Sequence, residues 1–326
     1  MSELYPLTFT PIYKTKIWGS NKCNSILNKS DAPTELCGES WEISGFENDC
    51  SVVNNGELAG NTLNELIDIY MDDILGTKVL ERYDHEFPLL IKFLDVNDLL
   101  SLQVHPNDKL AERRHNSSGK TEMWYIVQAD ANADLSIGFK ETIDRDIFIE
   151  HAISNRLPEL INTSKAKAGE AYLIPSGLVH GGGKGLLIAE IQQTSDITYR
   201  IYDWDRKDAS GQSRELHVDM ALDALDYSAK NNYQSIFNKK LNEPVQIATC
   251  EYFTVNRLEF DSSFDKDYTL LDSFVIYMCL EGSFTIEYEG KSQLISKGLT
   301  VLIPAKLEKL TLLPQPKAEI LEIYVP

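Results

Sequence analysis

The sequence predicts a mainly β protein that consists of two β-barrels in tandem with a small helical insertion. Short runs rich in Val, Ile, Phe, Tyr and Leu are separated by Gly, Asn, Asp and Pro, as at residues 124–128, 170–175 and 186–192. This composition is typical of antiparallel strands joined by tight turns. The segment at residues 168–176 also recurs at residues 296–305, each copy being a glycine-containing turn followed by an apolar strand that ends in Ile-Pro.

The repeat also predicts where the two barrels lie. A pair of predicted strands precedes each copy, at residues 124–139 and 274–288, so two copies of one barrel are the economical explanation. We expect an N-terminal barrel with helical insertions over residues 1–235 and a C-terminal barrel over residues 245–326. With 326 residues, 43% of them hydrophobic, the chain is long enough to bury a sizeable core and to hold two domains.

The two copies differ at the position where chemistry is expected. After the first Ile-Pro the sequence continues Ser-Gly-Leu-Val-His180, whereas after the second it continues Ala-Lys-Leu-Glu-Lys309. All six histidines precede residue 218. A metal is therefore expected in the first barrel, and the second barrel is expected to lack metal ligands.

A helical insertion is predicted to begin after Thr62. The apolar residues that follow helical spacing are Leu63, Leu66, Ile67, Tyr70 and Ile74. Thr62 and Glu65 match a capping box, and Gly76 lies near the expected end. Weaker helical patterns occupy residues 144–161 and 214–227. We expect these helices to pack against the barrel and to take no part in the chemistry.

The bulk charge restricts the partners of the protein. The chain carries 31 basic and 50 acidic residues, a formal charge of −19, so its average field repels nucleic acid, anionic membranes and phosphorylated sugars. A phosphate site must therefore be built locally from a few basic side chains. Neither a secretion signal nor an apolar run of membrane-spanning length is present, so we expect a cytoplasmic monomer or homodimer without nucleic-acid or membrane partners. The five scattered cysteines include no CxxC pair and are expected to be reduced.

Four polar residues of the first barrel form a candidate metal site. Strand alternation places Gln103 and His105 on one face of a predicted strand. Glu122 opens the next candidate strand, and His180 follows the turn at residues 175–177. Two imidazoles, a carboxylate and an amide oxygen suit zinc, iron or manganese, with a position left open for substrate. Spacing alone leaves the reaction open between oxygenases, isomerases and binding proteins.

Six motifs between residues 14 and 206 resemble, in order, those of the type I mannose-6-phosphate isomerases in their short bacterial form. They are KIWG at 16–19, GESWEIS at 38–44, QVHPND at 103–108, GKTEMWYI at 119–126, IPSGLVH at 174–180 and YRIYDWDR at 199–206. The resemblance implies two barrels of the cupin, or jelly-roll, type. It also implies an aldose-ketose isomerase that interconverts D-mannose 6-phosphate and D-fructose 6-phosphate.

The same resemblance implies roles for individual residues. The ligands that it implies for one zinc ion per chain are His105, Glu122, His180 and, in the longer relatives, Gln103. Arg200 corresponds to the family's catalytic arginine, and Lys120 to a lysine that lines the substrate pocket. Outside the matched motifs, Arg200 would be interpreted as a surface partner of Asp203 or Asp205, and Lys120 as a solvated loop residue.

The implied reaction moves a carbonyl group between C1 and C2 of an open-chain sugar by removing a proton next to it. A divalent cation that polarises the two oxygens would stabilise the resulting enediolate, and Arg200 and Lys120 are the candidates for neutralising the phosphate. The sequence does not rank the candidate bases, which are Glu39, Glu42, Lys120, Glu190 and a metal-bound water. Trp41 is expected in the core, opposite both Glu39 and Glu42, with the two carboxylates paired to Arg or Lys.

Two other classes of protein are alternatives to an isomerase. A metal-dependent dioxygenase would use the same barrel and a similar ligand set, but Lys120 and Arg200 fit a phosphate better than an apolar or acidic substrate. A non-catalytic sugar-binding barrel would have little need of a metal next to an arginine. The sequence therefore favours the isomerase.

Overall fold

The computed structural model describes residues 3–207, 210–230 and 232–326, whose strands form three antiparallel sheets. The six-stranded sheet contains, in spatial order, β2 (Ile12–Ser20), β3 (Cys37–Ile43), β4 (Leu89–Val96), β11 (Leu186–Gln193), β6 (Glu122–Ala129) and β9 (Ala171–Ile174). The five-stranded sheet contains β12 (Tyr199–Tyr202), β5 (Leu100–Val104), β10 (His180–Gly182), β7 (Asp134–Phe139) and β8 (Ile161–Lys165). The eight-stranded sheet contains β1 (Leu7–Thr8), β18 (Thr300–Ile303), β16 (Val275–Tyr288), β19 (Lys309–Tyr324), β14 (Thr254–Phe260) and β13 (Val245–Thr249), with β15 (Phe264–Asp267) on β19 and β17 (Lys291–Ser296) on β16.

The six-stranded sheet packs against both of the others. Its side chains alternate between two faces, as strand geometry requires. On one face, Trp124 and Ile126 of β6 share a core with Leu135 and Ile137 of the five-stranded sheet. On the other face, Tyr125 shares a core with apolar residues of the eight-stranded sheet. The C-terminal strands therefore cover one face of the six-stranded sheet.

The eight-stranded sheet also encloses a core of its own. Within β16, Ile276 and Met278 belong to the core shared with the six-stranded sheet, whereas Tyr277 and Cys279 belong to a separate core. That second core is completed by residues of β14, β17, β18 and β19. Residues 245–326 thus combine an internal core with a contact face, because period-two alternation presents apolar side chains on both faces of β16.

The helices are short and lie between strands. They are α1 (Lys22–Ser25), α2 (Leu63–Tyr70), α3 (Asp72–Leu75), α4 (Thr77–Tyr83), α5 (Asp108–His115), α6 (Arg145–Ile153) and α7 (Val218–Ala221), with 3-10 turns at Glu47–Asp49 and Leu157–Glu159. The predicted capping box of α2 is confirmed, since Glu65 N donates to Thr62 Oγ1 and Thr62 N donates to Glu65 Oε2 at 3.2 and 2.8 Å. Gly76 separates α3 from α4 at a positive φ of 86°.

The two weaker helical predictions are wrong in extent. Between residues 144 and 161, α6 ends early because Asn155 adopts a left-handed φ of 56°. Between residues 214 and 227, only α7 is helical. The segment before α7 instead lies along β12, where His217 N donates to Arg200 O at 2.7 Å and His217 Nδ1 accepts from Arg200 N at 3.1 Å. Tertiary hydrogen bonds therefore override the helical pattern there.

The prediction of a mainly β fold is confirmed. Strand pairing leaves all three sheets open over the described residues, so the arrangement as two tandem barrels and the domain boundaries at 235 and 245 stay predictions. Within the same residues, no helix combines the length and the apolar character needed to cross a bilayer.

Candidate metal centre and active-site cavity

The structure brings His105, Glu122 and His180 together, although they are far apart in the sequence. His105 follows β5, Glu122 begins β6, and His180 begins β10, which pairs with β5 so that His180 lies opposite Gln103. All three side chains are at most 1% exposed, and their donor atoms lie within 4.8 Å of one another. His105 Nε2 is 3.4 Å from Glu122 Oε2, and His180 Nε2 is 3.0 Å from Glu122 Oε1.

Backbone carbonyls orient both imidazoles. The Nδ1 atom of His105 lies 2.9 Å from Ile197 O, and the Nδ1 atom of His180 lies 2.9 Å from Leu178 O. A carbonyl can only accept, so each Nδ1 carries the proton and each Nε2 keeps its lone pair. Both lone pairs belong to atoms that face Glu122, which is the arrangement found in histidines that bind metals.

The residues present fit a divalent ion. Within the described residues, His105 Nε2 is buried without a hydrogen-bond partner, and the carboxylate oxygens of Glu122 face the ammonium of Lys120 and the Nε2 atoms of the two histidines. A buried lone pair without a partner is costly, and imidazole lone pairs that face a carboxylate repel it, so an ion bound between them would remove a large penalty. Donor atoms held about 2.1 Å from one ion lie roughly 2.9–3.4 Å apart in tetrahedral or octahedral geometry, which matches the two separations between histidine and Glu122.

Electrostatics keep two of these donors in their metal-binding protonation states. Burial, together with the nearby Lys120 ammonium, lowers the pKa of His105 to about 3. Burial by itself would raise the pKa of Glu122, but the charge of Lys120 and the two histidines hold it well below its usual value. Neutral imidazole and ionised carboxylate are the forms that bind metals, so no proton has to be removed from either group near neutral pH.

Gln103 lies beside the three donors. Its side-chain nitrogen is 3.2 Å from His180 Nε2, and its side chain also lines the adjacent cavity. Because amide oxygen and nitrogen are nearly isosteric, a 180° flip would direct the oxygen towards the same point. Gln103 therefore lies within reach of both the three donors and the cavity.

A cavity of about 280 Å³ adjoins the three donors. It reaches them through Gln103 and Lys120, which line it and contact His180 and Glu122. The basic residues that line it are Lys16, Lys92, Lys120, Arg200 and Arg214, and the acidic ones are Glu39, Glu190 and Asp196. A surplus of basic side chains in a chain with a net charge of −19 is the local site that an anionic ligand requires.

Neither Lys120 nor Arg200 is an ordinary surface residue. Lys120 is 5% exposed, and its Nζ lies 2.9 Å from Glu122 Oε2. Burial alone would lower the pKa of Lys120, but Glu122 and Glu190 raise it, so the ammonium stays charged. Arg200 forms no ion pair with Asp203 or Asp205 and donates from Nη1 to Glu215 O at 2.9 Å.

Arg200 differs from the other basic residues that line the cavity. In the described part of the chain it alone among them has no carboxylate within 4 Å, and its Nε is buried without a hydrogen-bond partner. Arg200 and Arg214 line the same cavity, and burial together with the Arg214 guanidinium lowers the pKa of Arg200. Such a pair is unfavourable until an anion binds between them.

The expected position of Trp41 relative to the two glutamates is wrong. Glu39 and Trp41 lie on the same side of β3 and both line the cavity, with Trp41 Nε1 donating to Glu39 Oε2 at 2.7 Å. Only Glu42 is on the opposite side, where it is buried in an ion pair with Lys29 at 2.9 Å. Residues two apart in a strand share a face, so Trp41 belongs with Glu39. The expected pairing of the carboxylates with basic residues is confirmed, since Glu39 lies 3.0 Å from Lys16.

Lys92 is a cavity residue that the sequence interpretation missed. Its Nζ lies 3.2 Å from Glu190 Oε2 and donates to Gln192 Oε1 at 2.6 Å. Glu190 in turn accepts from Trp124 Nε1 at 2.8 Å. A signal was present, because Lys92 interrupts the otherwise apolar run LLIKF of a completely buried strand. A lysine in such a position requires a buried partner or a ligand.

The fold and this cavity together define a class: β proteins with a buried group of side chains that could hold a divalent ion, next to a cavity lined by basic residues. Comparison with known proteins gives the family. The sequence model described as "Phosphomannose isomerase type I, catalytic domain" matches residues 7–137, and that described as "Mannose-6-phosphate isomerase, cupin domain" matches residues 245–324.

Relatives match over nearly the whole chain. A putative mannose-6-phosphate isomerase of Bacillus subtilis is 34% identical over 94% of this chain and 95% of its own length. The mannose-6-phosphate isomerase of Streptococcus mutans is 33% identical over 92% of both chains. The crystal structure of a Bacillus subtilis mannose 6-phosphate isomerase superimposes with a TM-score of 0.87 at 31% identity, over 98% of this chain and 99% of that one. The chain belongs to the type I mannose-6-phosphate isomerase family, and its fold includes the cupin domain of that family.

Proposed function

We propose that the protein interconverts D-mannose 6-phosphate and D-fructose 6-phosphate through an enediolate. The observation that carries the proposal is the position of three buried side chains that could hold a metal, those of His105, Glu122 and His180, next to a cavity with five basic side chains. A sugar phosphate has the two features that this arrangement suits, vicinal oxygens at one end and a dianion at the other. Membership of the isomerase family supports the same reaction.

We propose zinc as the resident ion, one per chain. The groups that would hold it are the Nε2 atoms of His105 and His180, the carboxylate of Glu122 and the side-chain amide oxygen of Gln103. Nitrogen and carboxylate donors without thiolates suit zinc, and the adjoining cavity would give a substrate access to it. When bound, the ion would polarise the C1 and C2 oxygens and stabilise negative charge on them, an effect worth several kcal/mol.

Lys120 supports the developing charge from the protein side. Its ammonium is buried, borders the cavity and stays charged next to Glu122. In a site of low dielectric constant, a fixed positive charge stabilises an oxyanion more than it would in water. Lys120 therefore donates a hydrogen bond to a substrate oxygen while it neutralises Glu122.

Arg200 and Arg214 bind the phosphate. The Nε of Arg200 is buried without an acceptor among the described residues. Arg214 is held at the cavity by Asp203, with Nε donating to Oδ2 at 2.8 Å and Nη2 donating to Oδ1 at 2.5 Å. Guanidinium groups match phosphate oxygens in planar, two-point contacts. A phosphate between the two arginines would also remove the repulsion between them.

Arg200→Gln is expected to raise the KM for mannose 6-phosphate by about 10- to 100-fold, because a hydrogen bond to a charged group contributes about 1.5–3 kcal/mol. Zinc content should not change, since Arg200 is paired with Gln103 through the strand backbone and its side chain forms no hydrogen bond or ion pair with a proposed ligand among the described residues. Steady-state kinetics with metal analysis check both expectations. Arg156→Gln is the matched control, because Arg156 is exposed and its guanidinium pairs with Glu150 and Glu159. An unchanged KM in Arg200→Gln would contradict this assignment.

Glu190 is the carboxylate that moves the proton between C1 and C2. Glu42 faces away from the cavity, and Lys120 is charged and therefore cannot accept a proton. Burial would raise the pKa of Glu39, but Lys92 and Lys16 lower it to about 2, which makes Glu39 a weak base. Glu190 lines the cavity, and the bonds from Trp124 and Lys92 fix its orientation.

The proposed function is tested by incubating the purified protein with mannose 6-phosphate and measuring fructose 6-phosphate in a coupled assay. We expect conversion in both directions, and the final ratio of fructose 6-phosphate to mannose 6-phosphate should be the same from either starting sugar. Folded, zinc-loaded protein that binds mannose 6-phosphate without converting it would favour the non-catalytic sugar-binding alternative instead.

A further inference from the structure

A hydrogen-bonded path connects the C-terminal residues 245–326 to the segment that carries Lys120 and Glu122. Its central group is the carboxylate of Asp108, at the first position of α5. Asp108 Oδ1 accepts from Gly119 N at 2.8 Å and from Gln193 Nε2 at 3.0 Å. Its other oxygen, Oδ2, accepts from Tyr252 Oη at 2.6 Å. Asp108 thus has three donors from three separate parts of the chain.

The path continues from Gln193 to the proposed metal ligand. Thr121 lies between Lys120 and Glu122, and its backbone N donates to Gln193 Oε1 at 2.8 Å. The backbone N of Gln193 donates back to Thr121 O at 3.2 Å. The side chains of Gln193 and Thr121 are each 5% exposed, so water does not compete strongly for these bonds. The position of Glu122 therefore depends on that of Gln193.

The start of this segment is also fixed by close packing on Asp108. A Cβ atom added to Gly119 would lie 2.5 Å from Asp108 N, so only glycine allows this approach. Lys120 N then donates to Pro106 O at 3.1 Å. Residues 119–122 are consequently held against the segment that follows His105, and a shift of Asp108 would displace both sides of the metal site.

The C-terminal residues contribute Tyr252 to this path. It lies between β13 and β14, and its ring is 5.7 Å from the guanidinium carbon of Arg82. Arg82 also donates from Nη1 to Glu251 O at 2.6 Å, which secures the turn that carries Tyr252. Burial and the bond to Asp108 raise the pKa of Tyr252, so the hydroxyl remains a donor near neutral pH. The bond joins two parts of the molecule that are 144 residues apart in the sequence.

We infer that Tyr252 is a positioning residue for the active site, acting through Asp108 and Gln193 on Lys120 and Glu122. This role rests on the proposed metal centre. It gives the C-terminal residues a part in catalysis beyond covering the six-stranded sheet, although they contribute no side chain to the cavity within the described chain. Groups that orient metal ligands from behind commonly change metal affinity or activity by about 10- to 100-fold when they are removed.

The test compares Tyr252→Phe and Asp108→Asn with Tyr125→Phe, in the full-length protein and below its unfolding temperature. Tyr125 is a matched control, because its hydroxyl also joins the two parts of the molecule, donating to Glu319 Oε1 at 2.6 Å on the face away from the cavity. We expect the zinc dissociation constant, measured by competition with a chromophoric chelator, to rise about 3- to 10-fold in Tyr252→Phe and about 10- to 100-fold in Asp108→Asn. The double variant should equal Asp108→Asn alone, because both changes interrupt one path.

A structural role alone would give a different result. It would lower the melting temperature of Tyr252→Phe and Tyr125→Phe alike, while zinc affinity and kcat stayed at the wild-type values in both. That outcome would overturn the inference. An error in the proposed metal site would be recognised separately. In that case His180→Ala would bind zinc as tightly as the wild type, whatever the zinc affinity of Tyr252→Phe.

Discussion

His180→Ala is expected to abolish detectable isomerase activity and to release the metal. The substitution removes one of two imidazoles from a buried donor set and leaves Glu122 with one fewer partner. Loss of the ion removes several kcal/mol of transition-state stabilisation, which corresponds to roughly a 10³-fold or larger fall in kcat. Metal content by atomic emission and kcat by the coupled assay should fall together.

His151→Ala controls for the loss of an imidazole. His151 lies on the exposed face of α6, where Nδ1 bonds to Ile147 O within the same helix. It should keep the wild-type metal content and kcat. A His180→Ala protein that is folded and still retains one tightly bound zinc per chain would contradict the assignment of the ligands, even if its activity were low.

Glu190→Gln is expected to lower kcat by about 10²- to 10⁴-fold, the contribution usual for a positioned general base. Glutamine keeps an acceptor for Trp124 Nε1, so the cavity should hold its shape, but it cannot take a proton at the reacting carbon. Zinc content and the KM should change little. Exchange of solvent deuterium into the C1 and C2 positions should slow in parallel with kcat.

The matched control for this variant is Glu42→Gln. Glu42 lies in β3 of the six-stranded sheet and is likewise buried and paired with a lysine, Lys29. Its side chain faces away from the cavity. It should lose stability and keep its kcat. Wild-type turnover in Glu190→Gln would contradict the assignment of Glu190 as the base. The proton would then have to move through another group.

The candidate metal site could be predicted from the sequence because local rules determine much of it. Alternation alone placed Gln103 and His105 on one face of a predicted strand, and a histidine after one of the two related turns distinguished the first half of the chain. The pairing of β5 with β10, which brings His180 opposite Gln103, is a contact over 77 residues that no local pattern specifies. The resemblance to the family motifs predicted instead that His180 and Gln103 lie at one site.

The parts that could not be predicted depend on tertiary contacts. Lys92 lies in an apolar strand and gives no periodic signal for its partner Glu190, 98 positions later. The segment that begins at Arg214 has a helical pattern, but bonds from Arg214 to Asp203 and from His217 to β12 hold it at the edge of the cavity, and it becomes helical only at Val218. The path through Tyr252 joins loops that are distant in sequence, so only the folded chain reveals it. Cellular compartment and oligomeric state stay predictions.

The most direct test of the account is the recovery of isomerase activity after the metal has been removed and restored. Protein treated with a strong chelator and then desalted should contain no zinc and convert no mannose 6-phosphate, and one equivalent of zinc per chain should restore both. His180→Ala should not recover under the same treatment. Full turnover by protein shown to be free of metal would contradict the proposal that a divalent ion at His105, Glu122 and His180 drives the reaction.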